Sequence, residues 1–232
     1  VTPARMLKPI MAVIVTTLVS LPPVLHADDV LRPSQVSPIP DDLWKSMQGV
    51  SWHADLPGCR RGRCKCPARS ELVLLTIPYI GFDAKEKSGR MVVHRDVANE
   101  VVAIFEDLHR QKYPINSIRL IEDFGGDDDA SMAANNTSAF NCRVVPESSA
   151  FSMHSRGLAV DVNPILNPFI WRGTVRPPAG TRFDGESERS NRMPGLIVAD
   201  DGVTRAFAKR GWKWGGDWSS MKDYQHFYKD VR

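Results

Sequence analysis

His154 and Asp161 stand seven residues apart in the stretch SMHSRGLAVDVN, Ser152 to Asn163. Gly157 lies between them, and Leu158, Ala159, Val160, Asp161 and Val162 follow as a short strand-like run. A strand entered through a glycine turn brings the histidine back over the strand that carries the aspartate. Near the C-terminus the segment DYQHFY adds Asp223 and His226. His154, Asp161 and His226 make two imidazoles and one carboxylate, a borderline-soft set suited to zinc with a fourth position left for water. Asp223 is then an extra carboxylate, a proton acceptor for that water and not a ligand. On one continuous strand Asp223 and His226 would have opposite parity, so a bend or the reach of the side chains must reconcile them. Taken by itself, a His and an Asp at this spacing is more often a pair of unrelated surface or hydrogen-bonding residues.

The elements that must position these groups can be read in chain order. Asp28 to Pro40 carries three prolines and reads as a linker or surface strap, followed by a short helix around Leu43, Trp44 and Met47. Val50 to Arg69 is rich in Gly, Pro, Cys and Arg and reads as irregular, cross-linked chain. Glu71 to Phe82 suits a strand, and an extended pattern resumes from Arg90 to His94. Asp96 to Gln111 repeats Val97, Val101, Ile104, Phe105 and Leu108 at helical spacing, with Asp96 as the expected cap and Tyr113-Pro114 as the stop. Ile115 to Ile121 and Phe140 to Val145 read as further strands, Gly173 to Gly195 as a long irregular loop, and Asp201 to Gly211 as a helix. The run Asp127 to Asp129 offers oxygen donors for calcium, though without the spacing of an EF-hand.

Ser152, His154, Gly157, Ala159 and Asp161 in the order SxHxxGxAxD, then Asp223 and His226 as a D/ExxH pair, resemble one family. It is the zinc-dependent peptidoglycan peptidases related to D-alanyl-D-alanine carboxypeptidases, above all the VanY-like proteins and L-alanyl-D-glutamate endopeptidases. The likeness runs from about Leu72 to Tyr228 and takes in VDVNPILNPF and GWKWGGDW. It implies zinc (Zn2+) on His154, Asp161 and His226, Asp223 as acid–base catalyst, and a peptidoglycan stem peptide as partner. Arg143 is implied as the group that holds the polarised carbonyl or reads a substrate carboxylate, work for which a planar guanidinium is suited. Ser152 and Trp214 are implied at the substrate, although the tryptophans of GWKWGGDW can equally lock the final strand. The expected architecture is α+β, a small antiparallel sheet carrying the zinc ligands with helices packed on one side. Two other classes stay open: a non-catalytic wall-binding protein that keeps the fold, and a zinc hydrolase of another amide.

The 232 residues divide, on this reading, into a leader at 1–27, an extension with a cysteine-rich loop at 28–70, and a peptidase domain at 71–232. The leader has Arg5 and Lys8, an apolar run from Ile10 to Leu25, and a small residue, Ala27, before Asp28, the layout of a secretory signal peptide. Without Arg5 and Lys8 the chain has 28 basic against 27 acidic residues, which argues against nucleic acid as a partner. The expected location is secreted or attached to a bacterial cell envelope, with membrane contact only through an uncleaved leader. The four cysteines, Cys59, Cys64, Cys66 and Cys142, favour two disulfides in an oxidising compartment. Cys142 is expected to pair with one of the N-terminal three and Cys59 with another, a small metal knuckle being the alternative.

Overall fold

The structure, a computed structural model, describes residues 33–56, 65–145, 151–190 and 193–230. The expected leader, Cys59 and Cys64 lie outside the described residues. Strand β1 (Gln35–Pro38) leads into helix α1 (Asp41–Met47). A long antiparallel hairpin follows, β2 (Leu72–Ile80) against β3 (Glu86–His94), with β1 on the far side of β2 in register Gln35 to Thr76. The stretch expected as a strap therefore contributes an edge strand. Pro78 is accommodated in β2 because β1 ends before it, leaving an open edge there.

Helix α2 (Ala98–Arg110) lies where the helical spacing put it, with Val101, Ile104, Phe105 and Leu108 almost wholly buried. Its entrance differs from expectation. A tight helical turn, Arg95–Val97, comes first, and the His94 side chain, not Asp96, accepts the capping bond, from the Asp96 N–H at 3.3 Å. Beyond it come β4 (Ser117–Ile118), α3 (Asp128–Ala133) and β5 (Asn136–Thr137), the two strands pairing in parallel. The remaining elements are β6 (Ala159–Asp161), β7 (Phe169–Trp171), β8 (Thr174–Arg176), α4 (Glu186–Ser190), α5 (Gly202–Ala208), β9 (Lys213–Trp214), β10 (Lys222–Asp223) and β11 (His226–Tyr228). Part of the expected irregular loop at Gly173 to Gly195 is thus β8, a helical turn at Pro178–Phe183 and α4. Phe140 to Val145 makes an isolated bridge, Val144 to Phe151, and not the strand its composition suggested.

The mixture of helices and small, mostly antiparallel sheets is α+β. Around the separate β1–β2–β3 sheet, helices pack on both sides. β2 is a run of apolar residues, LVLLTIPYI, and not an alternation, so both its faces need cover. Leu75 and Ile77 join Met91, Val93, Ile104, Phe105, Val160, Val162 and Phe227 in one core. Leu72, Leu74 and Val92 face the other way and pack with Ile39, Leu43 and Met47, which puts α1 opposite α2. Cys142 joins this second cluster and is bonded to Cys66, a pairing within the expected set.

Candidate metal and catalytic site

Strand β6 lies between core and site. Val160 and Val162 are fully buried in the main core, so Asp161, between them, points to the opposite face. Strand β11 pairs antiparallel with β6 in the register His226 to Asp161 and Phe227 to Val160. Directly opposed residues share a face, so His226 stands beside Asp161 while Phe227 enters the core against Val160. Fully burying Phe227 and each valine contributes about 1.5–3 kcal/mol per side chain, which pins the strands that carry the polar pair.

His154 arrives from a tight helical turn, His154–Arg156, not from the sheet. The turn ends at Gly157 with φ +68°, and the His94 N–H donates to the Gly157 carbonyl at 2.9 Å. A Cβ at Gly157 would lie 2.5 Å from the His94 nitrogen, so both the left-handed backbone and the close approach require glycine. This is the glycine turn the sequence suggested, and it does fold the histidine back over β6.

The imidazole of His154 donates from Nδ1 to the Ala139 carbonyl at 2.5 Å, which leaves Nε2 as an acceptor or ligand atom. Nε2 lies 3.1 Å from His226 Nδ1 and 3.2 Å from Asp161 Oδ2, and His226 Nδ1 lies 2.9 Å from Asp161 Oδ1. Each of the three residues is less than a tenth exposed. Donors at ordinary zinc distances of about 2.0–2.1 Å in a tetrahedron stand roughly 3.3 Å apart, so the observed spacings are those of a site that fits such an ion with small adjustment. Among the described residues this is the group whose ligand atoms all fall within 4.8 Å of one another.

Electrostatics fit the same reading. Burial by itself would raise the Asp161 pKa, yet His154 and His226 hold it well below the ordinary carboxylate range. Burial favours neutral His154, and the Asp161 carboxylate overrides it and lifts the imidazole above its ordinary value. Two nitrogens and two oxygens drawn this close form a cavity of concentrated lone pairs that a divalent cation would satisfy.

Asp223 belongs to another sheet. β10 pairs with β7, Asp223 opposite Phe169, and the chain breaks at Tyr224 and Gln225 before β11 begins. That break resolves the parity conflict between Asp223 and His226. Gly215 makes room for the approach, since a Cβ there would meet the Asp223 backbone oxygen at 2.6 Å. Asp223 Oδ1 is buried without a hydrogen-bond partner. Burial, reinforced by Asp161 and Asp128 and opposed by His226 and Arg143, pushes its pKa up to about 7.

Residues 146–229 match the D-alanyl-D-alanine carboxypeptidase family model. The match covers about a third of the chain, less than the likeness drawn from Leu72 onward, and it includes His154, Asp161, Asp223 and His226. It supports a peptidase of the peptidoglycan-related kind. No curated protein and no solved structure gave a match. Arg143 falls before the matched segment.

The structure gives the other predicted residues distinct surroundings. Arg143 is tied to the donor turn by its backbone, its N–H donating to Ser155 Oγ at 2.8 Å, while its guanidinium pairs with Asp128. Ser152 is buried, and its Oγ accepts the His154 N–H at 3.2 Å, which is a role in shaping the turn. Trp214 is buried in the core opposite Phe227 and donates its indole N–H to the Tyr224 carbonyl at 2.9 Å. The aromatic ring beside the site is Trp218, half-buried, with its centroid 5.6 Å from that of His226 and 5.9 Å from that of Tyr228. Its sequence signal was the phase change at Gly215–Asp217, a helical turn that puts Trp214 and Trp218 in different surroundings. The acidic run is used in pieces: Asp127 caps α3 by accepting the Ala130 N–H, and Asp128 holds Arg143.

Proposed function

We propose that this protein hydrolyses an amide bond in peptidoglycan peptides with a zinc ion held by His154, Asp161 and His226. The observation that carries the proposal is the convergence of those donors beside a buried carboxylate, Asp223, whose Oδ1 has no partner. When bound, zinc supplies a Lewis acid for the scissile carbonyl and acidifies water. Asp223 Oδ1 accepts the proton of the attacking water and returns it to the departing amine nitrogen, a role served by a pKa raised toward neutrality. Arg143 donates to the carbonyl oxygen as negative charge develops there. His154 is kept in the ligating tautomer by the Ala139 carbonyl. Trp218 forms an aromatic wall next to His226. The reaction takes place outside the cytoplasm, in keeping with the wall peptide as substrate and the leader-like N-terminus. No helix among the described residues is long and apolar enough to cross a membrane.

The test is mass spectrometry of the products released from defined stem and cross-linked peptides by zinc-loaded, chelated and Asp223→Ala protein. Cleavage by the loaded protein, lost on chelation and reduced about 100- to 10,000-fold in Asp223→Ala, is expected. Retained binding to wall material without cleavage of any of these peptides would replace hydrolysis by a wall-binding function.

A further inference from the structure

Arg143 already has a counterion. Its Nη2 donates to Asp128 Oδ2 at 2.6 Å, and the two side chains are 26% and 27% exposed. Both partners are fixed from behind. Asp128 opens α3, whose start is set by the Asp127 cap at 3.1 Å from the Ala130 nitrogen. Arg143 is held through Ser155, which receives its N–H and donates Oγ–H to its carbonyl at 2.5 Å. The neighbouring Cys142 is anchored by the disulfide to Cys66. An ion pair between two fixed, partly buried partners keeps far more of its strength than an exposed one. Arg143 Nε is nevertheless buried and unpartnered. The guanidinium therefore keeps an unused donor while its positive charge has been matched.

Beside the histidines, the cation that acts on both His154 and Asp223 is Arg143. The charges acting on His154 and Asp223 are those of Arg143, Asp128, Asp161 and the histidines. A divalent ion on the donor trio is balanced by Asp161 and Asp223. A neutral peptide carbonyl needs only a donor, whereas an incoming C-terminal carboxylate would find the Arg143 charge already matched by Asp128 and would meet Asp128 and Asp223. Resting on the peptidase reading above, we infer that Asp128 is a specificity-determining residue that neutralises Arg143. It directs the site to amides followed by further chain and away from the bond that releases a terminal residue bearing a free carboxylate.

The experiment uses the zinc-loaded full chain and two stem peptides identical except at the C-terminus. One ends a single residue past the scissile bond as a free acid, and the other carries the same residue as its amide. For the wild type the acid-to-amide ratio of kcat/KM is expected at or below one; a ratio above one overturns the inference whether or not any variant folds. Asp128→Asn should raise the ratio at least fivefold, through a lower KM for the acid, and Asp128→Glu should restore it. A smaller or opposite change overturns the inference. Calorimetric binding of both peptides in the Asp223→Ala background separates this idea from the reaction it rests on. No cleavage, with acid binding still gained in Asp128→Asn, removes the proposed reaction and leaves the neutralised pair. Cleavage with an unmoved ratio does the reverse.

Discussion

Replacing Gly157 by alanine tests whether the donor geometry depends on one turn. At φ +68° a side chain brings left-handed strain of about 1–2 kcal/mol. The new Cβ would also lie 2.5 Å from the His94 nitrogen and 3.0 Å from the Val93 carbonyl carbon, both backbone atoms that cannot rotate away. Relief requires the turn to leave β3 and break the bond from the His94 N–H to the Gly157 carbonyl, a further loss of about 1–3 kcal/mol. Together these give roughly 2–5 kcal/mol, or about 4–20 °C in Tm for a chain of this size. Gly173→Ala is the control, because Gly173 has φ +78° but open space around its missing Cβ, so it should lose only about 1–2 kcal/mol. Denaturant unfolding of both variants gives the comparison, and zinc competition against a chromophoric chelator reads the site. Gly157→Ala should bind zinc at least about tenfold more weakly, since His154 moves with the turn. Equal stability losses in the two variants, with zinc affinity unchanged, would refute the idea that close backbone packing at Gly157 aims His154.

Further expectations concern charge and covalent ties. Asp223 has a folded pKa raised to about 7, so in the metal-free protein its stabilising contribution is complete below the ordinary carboxylate pKa and is lost as pH rises through about 7. Asp161, shifted downward, stays ionised throughout pH 5 to 8 and adds no slope there. Metal-free wild type should therefore show a larger drop in Tm from pH 5 to 8 than Asp223→Asn, and parallel curves would count against the buried acid. Removing the Cys66–Cys142 bond, which joins residues 76 apart, frees a loop whose closure entropy is worth about 4.5 kcal/mol in the chain-entropy model. Urea unfolding of the Cys66→Ala/Cys142→Ala protein should show a loss of that order, and a loss under about 1 kcal/mol would mean that the segment before Arg143 is held by packing alone.

The sequence disclosed those parts of the site that depend on short-range geometry. His154, Gly157 and Asp161 lie within one turn and one strand, so their spacing already contained the fold-back that the structure has. Helix α2 was legible for the same reason, its apolar face repeating within a single element. What depended on partners was hidden. The pairing of Arg143 with Asp128 joins a loop to a helix fifteen residues earlier, and no local pattern encodes it. Trp214 and Trp218 look alike in GWKWGGDW, and only the pairing of β9 with β11 sends the first into the core. The break between β10 and β11 was half legible: the parity of Asp223 and His226 asked for a bend or a long reach, but not for the different neighbours that the two halves of DYQHFY find. The placing of α1 opposite α2 followed from β2 being apolar on both faces, a signal visible in LVLLTIPYI but easily taken for a strand with one buried side.

Because Asp223 hangs from β7 through β10, while Asp161 and His226 belong to β6 and β11, the proposed proton acceptor and the proposed ion ligands stand on separate sheets. On the proposed reaction, a change around the β7–β8 hairpin would act on the acid–base group first and reach the ligands only through the two-residue link Tyr224–Gln225. Under the proposed reaction, hairpin variants would change turnover before they change affinity for the ion.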